Sequence, residues 1–341
     1  MKHEIDLKNY KIRTDLAIEQ VEGSDNLEGV KQDGYVKNNI KVTNVVLDRN
    51  NKLGKCSGNY ITIEFNDITD TNNRKNVEDV LKDEIKKILN KMSIKDDDVC
   101  LVIGLGNDKS TPDSLGPLTI NNILVTNHLY MLNSLDNNYR RVCAINPGVT
   151  GETGIETSDI ILSIVKEIKP DFIITIDALA SQSISRVNKT IQMTDSGIHP
   201  GSGIGNKRKE ISKNTIGIPV LSIGVPTVVD ASVIVADTIN YMYKHYAFNK
   251  EYSKNPKSKF TFNNINYLDK NIKINKADKT NLLGLVGLLN NEEIKELIYE
   301  VLTPIGYNLM VTPKEVDFVM NRLSLLISNS INNALHKTDV F

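Results

Sequence analysis

An α/β fold, with a mainly parallel or mixed central sheet flanked by helices on both faces, is what this 341-residue chain predicts. Three observations carry it. Short apolar runs at Cys100–Leu105, Phe172–Ile176 and Ile218–Ile223 have the length and side chains of buried strands. Helical patterns alternate with them, as expected where crossovers cover the faces of a sheet. Two of the runs then deliver a carboxylate, Asp113 after the first and Asp177 directly after the second. Ligands bind at the carboxyl ends of strands in open α/β sheets, so the two aspartates predict one shared site.

Taken in order, residues 1–34 are polar and charged and read as a loosely docked leader. Residues 35–66 alternate apolar and polar side chains and predict an N-terminal β-hairpin or two edge strands, with DRNNKLGKCSGN as the turn. Asn76–Met92 places apolar residues at helical spacing. After the strand at Cys100–Leu105, Pro117–Tyr130 reads as a helix opened by proline in its first turn. Val142–Ile145 is a short strand, and the loop PGVTGETG leads to a helix over Ser158–Ile168 that Pro170 stops. Phe172–Ile176 is the next strand and Lys189–Met193 a further one. Ile218–Ile223 ends at Gly224 and Pro226, ahead of a helix over Val228–His245. Residues 247–282 are rich in Asn and Lys and read as a polar excursion. The C-terminal helix over Thr312–His336 begins with Thr312 as N-cap, Pro313 in its first position and Glu315 three residues after the cap.

Composition narrows the function classes. Lys plus Arg is 41 and Asp plus Glu is 42, a net charge of −1, which argues against the basic stripe of a nucleic-acid binder. Hydrophobic residues make up 40%, enough for a substantial core. Cys56, Cys100 and Cys143 are scattered, with neither disulfide nor zinc spacing, and fit a reducing compartment. The N-terminus lacks a secretory apolar stretch, and no run of about 18 apolar residues predicts a membrane span. A cytoplasmic protein is expected.

Each aspartate has a bland alternative. Asp113 in TPDSLGP suits the N-cap of the helix at Pro117, and Asp177 suits the cap of a helix starting at Ala178. As a pair they offer more, since two neighbouring carboxylates cannot both ionise cheaply and one keeps its proton near neutrality. Such a pair supplies a general base for water and a general acid for a leaving amine, or it holds a metal ion. Asp195-Ser-Gly copies the triplet of pepsin-like proteases, but only once and outside an all-β pattern, so an ordinary turn is the competing reading. The segment GIHPGSGIGNKRK, with Gly201, Gly203 and Gly205, is either a phosphate cradle without Walker spacing, a site loop whose amides stabilise an oxyanion, or a plain surface loop. His199 in that loop is a candidate for proton shuttling or metal binding, or makes a structural hydrogen bond. Cys100 and Cys143 sit in apolar strands where thiols are inert, and Ser114 has no histidine partner in view.

The strings YKIRTDLAIE, GLGNDKSTPDSLGP, NPGVTGETGIET, IDALA, DSGIHPGSGIGNKRKE, IGVPTVVDA and MVTPKEVDF resemble, nearly end to end, the germination protease family of spore-forming bacteria. That resemblance implies an atypical aspartic-type endopeptidase, unrelated in fold to pepsin, that degrades small acid-soluble spore proteins in the forespore and spore core. It implies a homotetramer made as a zymogen, with no cofactor. The family's two essential aspartates fall on Asp113 and Asp177, and its leader is removed at a bond matching Asp15–Leu16. Residues 1–15 are then a propeptide and 16–341 one peptidase domain. An acidic residue before the bond, an apolar one after it, then Ala and a nearby Glu also resemble the family's substrate sites, making the leader a pseudo-substrate. The GLGN turn is similar to hydrogenase-maturation proteases, which bind nickel through carboxylates and a histidine, so a metal-assisted peptidase stays open. It also occurs in peptidyl-tRNA hydrolase, whose pattern the rest of the chain does not follow. A third alternative is a non-catalytic module that binds spore proteins through GSGIGNKRK.

Overall fold

The computed structural model describes residues 14–24, 27–134, 136, 138–201, 208–253, 272, 274–302 and 309–337. The chain folds as two compact units: a larger one of Arg13–Val228 with Thr312–Phe341, and a smaller one that includes Val229–Val311.

Among the described residues the larger unit holds eight strands: β1 (Val30–Lys37), β2 (Ile40–Leu47), β3 (Gly58–Glu64), β4 (Cys100–Gly104), β5 (Val142–Ile145), β6 (Phe172–Ser181), β7 (Thr190–Thr194) and β8 (Val220–Asp230), the last running into the smaller unit. Their order is β1-β2-β3-β7-β8-β6-β4-β5. The sheet is mixed. β5, β4 and β6 are parallel, whereas β1, β2, β3, β7 and β8 pair antiparallel in succession.

Alternation along the central strands explains why both faces carry helices. Cys100 and Val102 of β4, with Phe172, Ile174 and Ile176 of β6, join a core completed by helices Thr71–Lys91 and Val316–Leu335. Leu101 and Ile103, with Ile173, belong to a second core that includes Ile161 of helix Thr157–Ile168. Helix Thr71–Lys91 is opened by Asp70, whose side chain accepts from the Asn73 amide. Among the described residues no helix is long and apolar enough to cross a membrane.

Five elements differ from the sequence expectation. The first is the C-terminal helix, which begins at Val316 with Glu315 at its N-cap, while the Thr312 hydroxyl expected to cap it donates to the Thr227 carbonyl at 2.9 Å. The N-terminal hairpin begins at Val30 and turns at Asn38 and Asn39, both at positive φ, which asparagine tolerates better than most residues; DRNNKLGKCSGN instead links β2 to β3. The helix expected over Pro117–Tyr130 is broken into Leu115–Ile120 and Asn127–Met131. Thr126 pins the break to the start of β5, its amide donating to the Val142 carbonyl at 3.0 Å and its hydroxyl accepting from the Val142 amide at 2.9 Å. β6 does not stop at Ile176 but continues through Asp177 to Ser181. β8 likewise continues through Gly224 and Pro226 to Asp230, and its helix starts at Ala231 instead of Val228.

In the smaller unit, Met310–Val311 (β9) pairs antiparallel with Val229–Asp230. Asp230 caps helix Ala231–Tyr252 by accepting from the Ser232 amide at 2.8 Å. Ala236 of that helix packs with Ile294 and Ile298 of helix Asn291–Leu302. The stretch 247–282 carries the end of the first helix and a further helix, Lys276–Leu283; residues 254–271 lie outside the described ones.

Candidate active site

Asp113 closes a 3-10 turn, Thr111–Asp113, that folds back on the end of β4. It does not cap a helix. The Asn107 amide donates to its carbonyl oxygen at 3.1 Å and to its Oδ2 at 3.0 Å. This close approach demands glycine at 106, where φ is +115° and a Cβ would stand 2.0 Å from the Asp113 carbonyl oxygen.

Asp177 lies inside β6, one residue past the point where β4 ceases to pair with it at Gly104↔Ile176. No helix begins at Ala178, so the capping alternative fails here too. Strand alternation puts Asp177 on the face of Ile173, Leu179 and Ser181. Its side chain is 5% exposed, and Oδ1 accepts from the Ala178 amide at 2.9 Å.

The two carboxyls act on each other. Burial raises the Asp177 pKa well above the usual carboxylate range, and the charges of Asp113 and Asp15 push it further, against the Ala178 hydrogen bond and the positive charge of Arg208. Burial likewise raises Asp113 to about 6, opposed by the Asn107 amide and then by Arg208. Two carboxyls that hold one proton between them can act as an acid–base pair.

A chain segment, residues 14–19, lies along the end of β6 beyond Asp177. The Asp15 amide donates to the Ala180 carbonyl at 3.1 Å, and Asp15 Oδ2 accepts from the Ala180 amide at 2.9 Å. Leu16 and Ile18, fully buried, pack with Leu179. The Asp15 carbonyl oxygen accepts from Lys55 Nζ at 2.9 Å and from Gln192 Nε2 at 3.0 Å, while Gln192 Oε1 accepts from the Ala17 amide at 2.7 Å. Glu19 accepts from Ser181 Oγ at 2.5 Å, from the Gln182 amide at 2.7 Å and from the Thr14 hydroxyl, with Arg186 Nη1 3.6 Å away.

Of the glycine-rich loop, Gly203 and Gly205 lie outside the described residues, and Gly201 adopts φ +70°. His199 Nε2 lies 3.8 Å from Glu210 Oε2, and its side chain is 48% exposed. Arg208, at the far end of the loop, donates to Thr150 Oγ1 at 2.5 Å. Among the described residues no group of three or more His, Cys, Asp or Glu side chains is disposed to hold a metal ion. Sequence reasoning passed over Lys55, Gln192, Ser181 and Arg186, and took in Arg208 only as part of the basic end of the glycine-rich loop. Only Gln192, a polar residue interrupting the strand TIQMT, left a signal.

Comparison with known proteins gives the class first: peptidase. The family model Peptidase_A25, described as germination protease, matches residues 7–340. The germination protease of Geobacillus sp. (strain WCH70) is 46% identical, over 99% of this chain and 97% of its own length. Those of Bacillus cereus (strain ATCC 10987 / NRS 248) and Bacillus anthracis are each 45% identical, over 98% of this chain and 96% of theirs. The chain belongs to the germination protease family.

Proposed function

We propose that this protease is an endopeptidase that degrades small acid-soluble spore proteins during germination. It is made as a zymogen whose propeptide, residues 1–15, is removed by its own cut at Asp15–Leu16. It works as a homotetramer in the cytoplasm of the forespore and spore core. The ionised member of the Asp113–Asp177 pair takes a proton from water, which attacks the peptide carbonyl, and the protonated member gives its proton to the departing amine.

What supports the reading is the course of residues 14–19. The Asp15 backbone pairs with Ala180, three residues along β6 from Asp177, and the charge of Asp15 is felt by Asp177. Both acidic residues of the segment meet donors: Asp15 the Ala180 amide, and Glu19 the Ser181 hydroxyl and Gln182 amide. A groove that holds acidic–Leu–Ala–x–Glu accepts substrates of the same pattern.

N-terminal sequencing of the processed protein tests the cut, and Leu16 is the expected first residue. Asp113→Asn and Asp177→Asn chains, folded by circular dichroism, should fail to process themselves and should leave spore proteins intact. Near-wild-type cleavage by both chains overturns the pair mechanism.

A further inference from the structure

We propose that Lys55 and Gln192 form the oxyanion site of this peptidase, receiving the negative charge that develops on the carbonyl oxygen of the bond being cut. The proposal rests on the reading that Asp15–Leu16 is such a bond.

The Asp15 carbonyl oxygen is met by two side-chain donors from separate elements. Lys55, on the link between β2 and β3, approaches at 2.9 Å, and Gln192, from β7, at 3.0 Å. A loop that merely docks can satisfy a carbonyl with one backbone amide or water. Here an ammonium and a carboxamide converge on the oxygen whose carbon must be attacked.

Gln192 cannot turn away. It is 6% exposed, and the Ala17 amide, a donor only, fixes which end of the carboxamide is oxygen. Its NH2 group is thereby left facing the Asp15 carbonyl. One side chain thus spans the scissile carbonyl and the amide two residues downstream, setting the register of the bond over the site. The Nζ of Lys55 also lies 6.0 Å from the centre of the Tyr60 ring. Burial lowers the pKa of this ammonium, and the charge of Asp15 opposes the shift. A desolvated cation next to a developing alkoxide interacts far more strongly than one in water.

In the step itself, a water oxygen bonds to the Asp15 carbonyl carbon while its proton goes to the ionised aspartate. The π electrons of the carbonyl move onto its oxygen, where Lys55 Nζ and Gln192 Nε2 stabilise them. When the intermediate collapses, the carbonyl reforms and the bond to the Leu16 nitrogen breaks. That nitrogen takes the proton of the protonated aspartate. No other reactant is needed.

The experiment uses the full chain and, in trans, leader-free protein with a peptide of residues 10–22. Lys55→Met and Gln192→Met should each lower kcat by about 100- to 1,000-fold, the usual loss for one oxyanion donor. KM should change by less than about threefold, and Lys55→Arg should restore part of kcat. A rise in KM at unchanged kcat overturns the proposal, because the two groups would then grip substrate and transition state equally. Gln192 is buried in a strand, so the wild-type protein provides a second reading. A phosphinic peptide carrying a tetrahedral anion in place of the Asp15 carbonyl should bind at least about 100-fold more tightly than the substrate peptide. Equal affinity overturns the proposal. A processed N-terminus other than Leu16 defeats the parent reading and this one together. Processing at Leu16 with kcat indifferent to both substitutions defeats this one alone.

Discussion

Asp177 keeps its carboxyl on a buried strand, where ionisation is opposed by lost solvation and by Asp113 and Asp15. Burial holds Asp113 at about 6 and Asp177 well above the ordinary carboxylate range, so between them they keep a proton that two free aspartates would have lost. The pair titrates as a unit, with two apparent values that belong to both groups. The singly protonated form therefore grows in as pH rises through about 6 and is lost only when the second proton leaves. The expected kcat/KM profile is a bell whose acid limb lies near 6, well above the limb of an unperturbed aspartate near 4. A profile flat from pH 4 to 8 would show that the pair does not govern the rate. Asp113 and Asp177 could be singled out in the sequence because each follows an apolar run and a polar group there needs a partner. Lys55 and Gln192 could not, because their meeting at Asp15 depends on the β3–β7 pairing and on where the leader lies.

Among elements, the turn from β4 to Asp113 is the most constrained. Gly106 holds φ +115°, and a methyl group there would collide with the Asp113 carbonyl oxygen at 2.0 Å. Gly217, at φ +92°, ends the short helix Lys213–Ile216, and a methyl group added there would meet nothing within 4 Å. Gly217→Ala should therefore cost about 1 kcal/mol, the strain of the left-handed region alone. Gly106→Ala carries strain plus a backbone collision and should cost roughly 2 kcal/mol more. It should also depress activity beyond what its stability loss explains, because it shifts Asp113. Urea midpoints and kcat for the two variants check this, and equal costs would remove the claim that the turn is closed on Asp113. The sequence shows the glycine turn, but the lengths of β6 and β8 were hidden from it. β6 reads as ending at Ile176 because an aspartate breaks the apolar run; tertiary pairing of Ala180 with Asp15 carries the strand onward.

Over the whole molecule, the alternation of strands and helices was enough to foresee helices on both faces of a sheet. The antiparallel half was less legible, since β7 pairs with a strand more than a hundred residues earlier in the chain and short apolar runs carry no sign of direction. The completed fold buries ionisable groups of opposite tendency, and their balance sets acid stability. His336, 3% exposed, accepts the Arg140 amide on Nδ1 at 3.1 Å, and burial lowers its pKa to about 4. A depressed histidine binds fewer protons folded than unfolded between about 4 and 6.5, so its contribution is lost as pH falls through that window. Asp113 and Asp177 have the opposite sign. Their raised values mean that the folded chain binds more protons than the unfolded one above about pH 4, so they weaken the fold as pH rises through about 6 and beyond. The double variant Asp113→Asn with Asp177→Asn should be more stable than wild type at pH 7, with the gap closing toward pH 4. With the aspartate terms gone, the variant's stability should fall more steeply than wild type between pH 6.5 and 4, leaving the His336 slope exposed. Urea midpoints for both proteins at pH 4, 5, 6 and 7 decide the matter. A gap that stays constant across the series would mean that the two carboxyls titrate normally in the fold and share no proton.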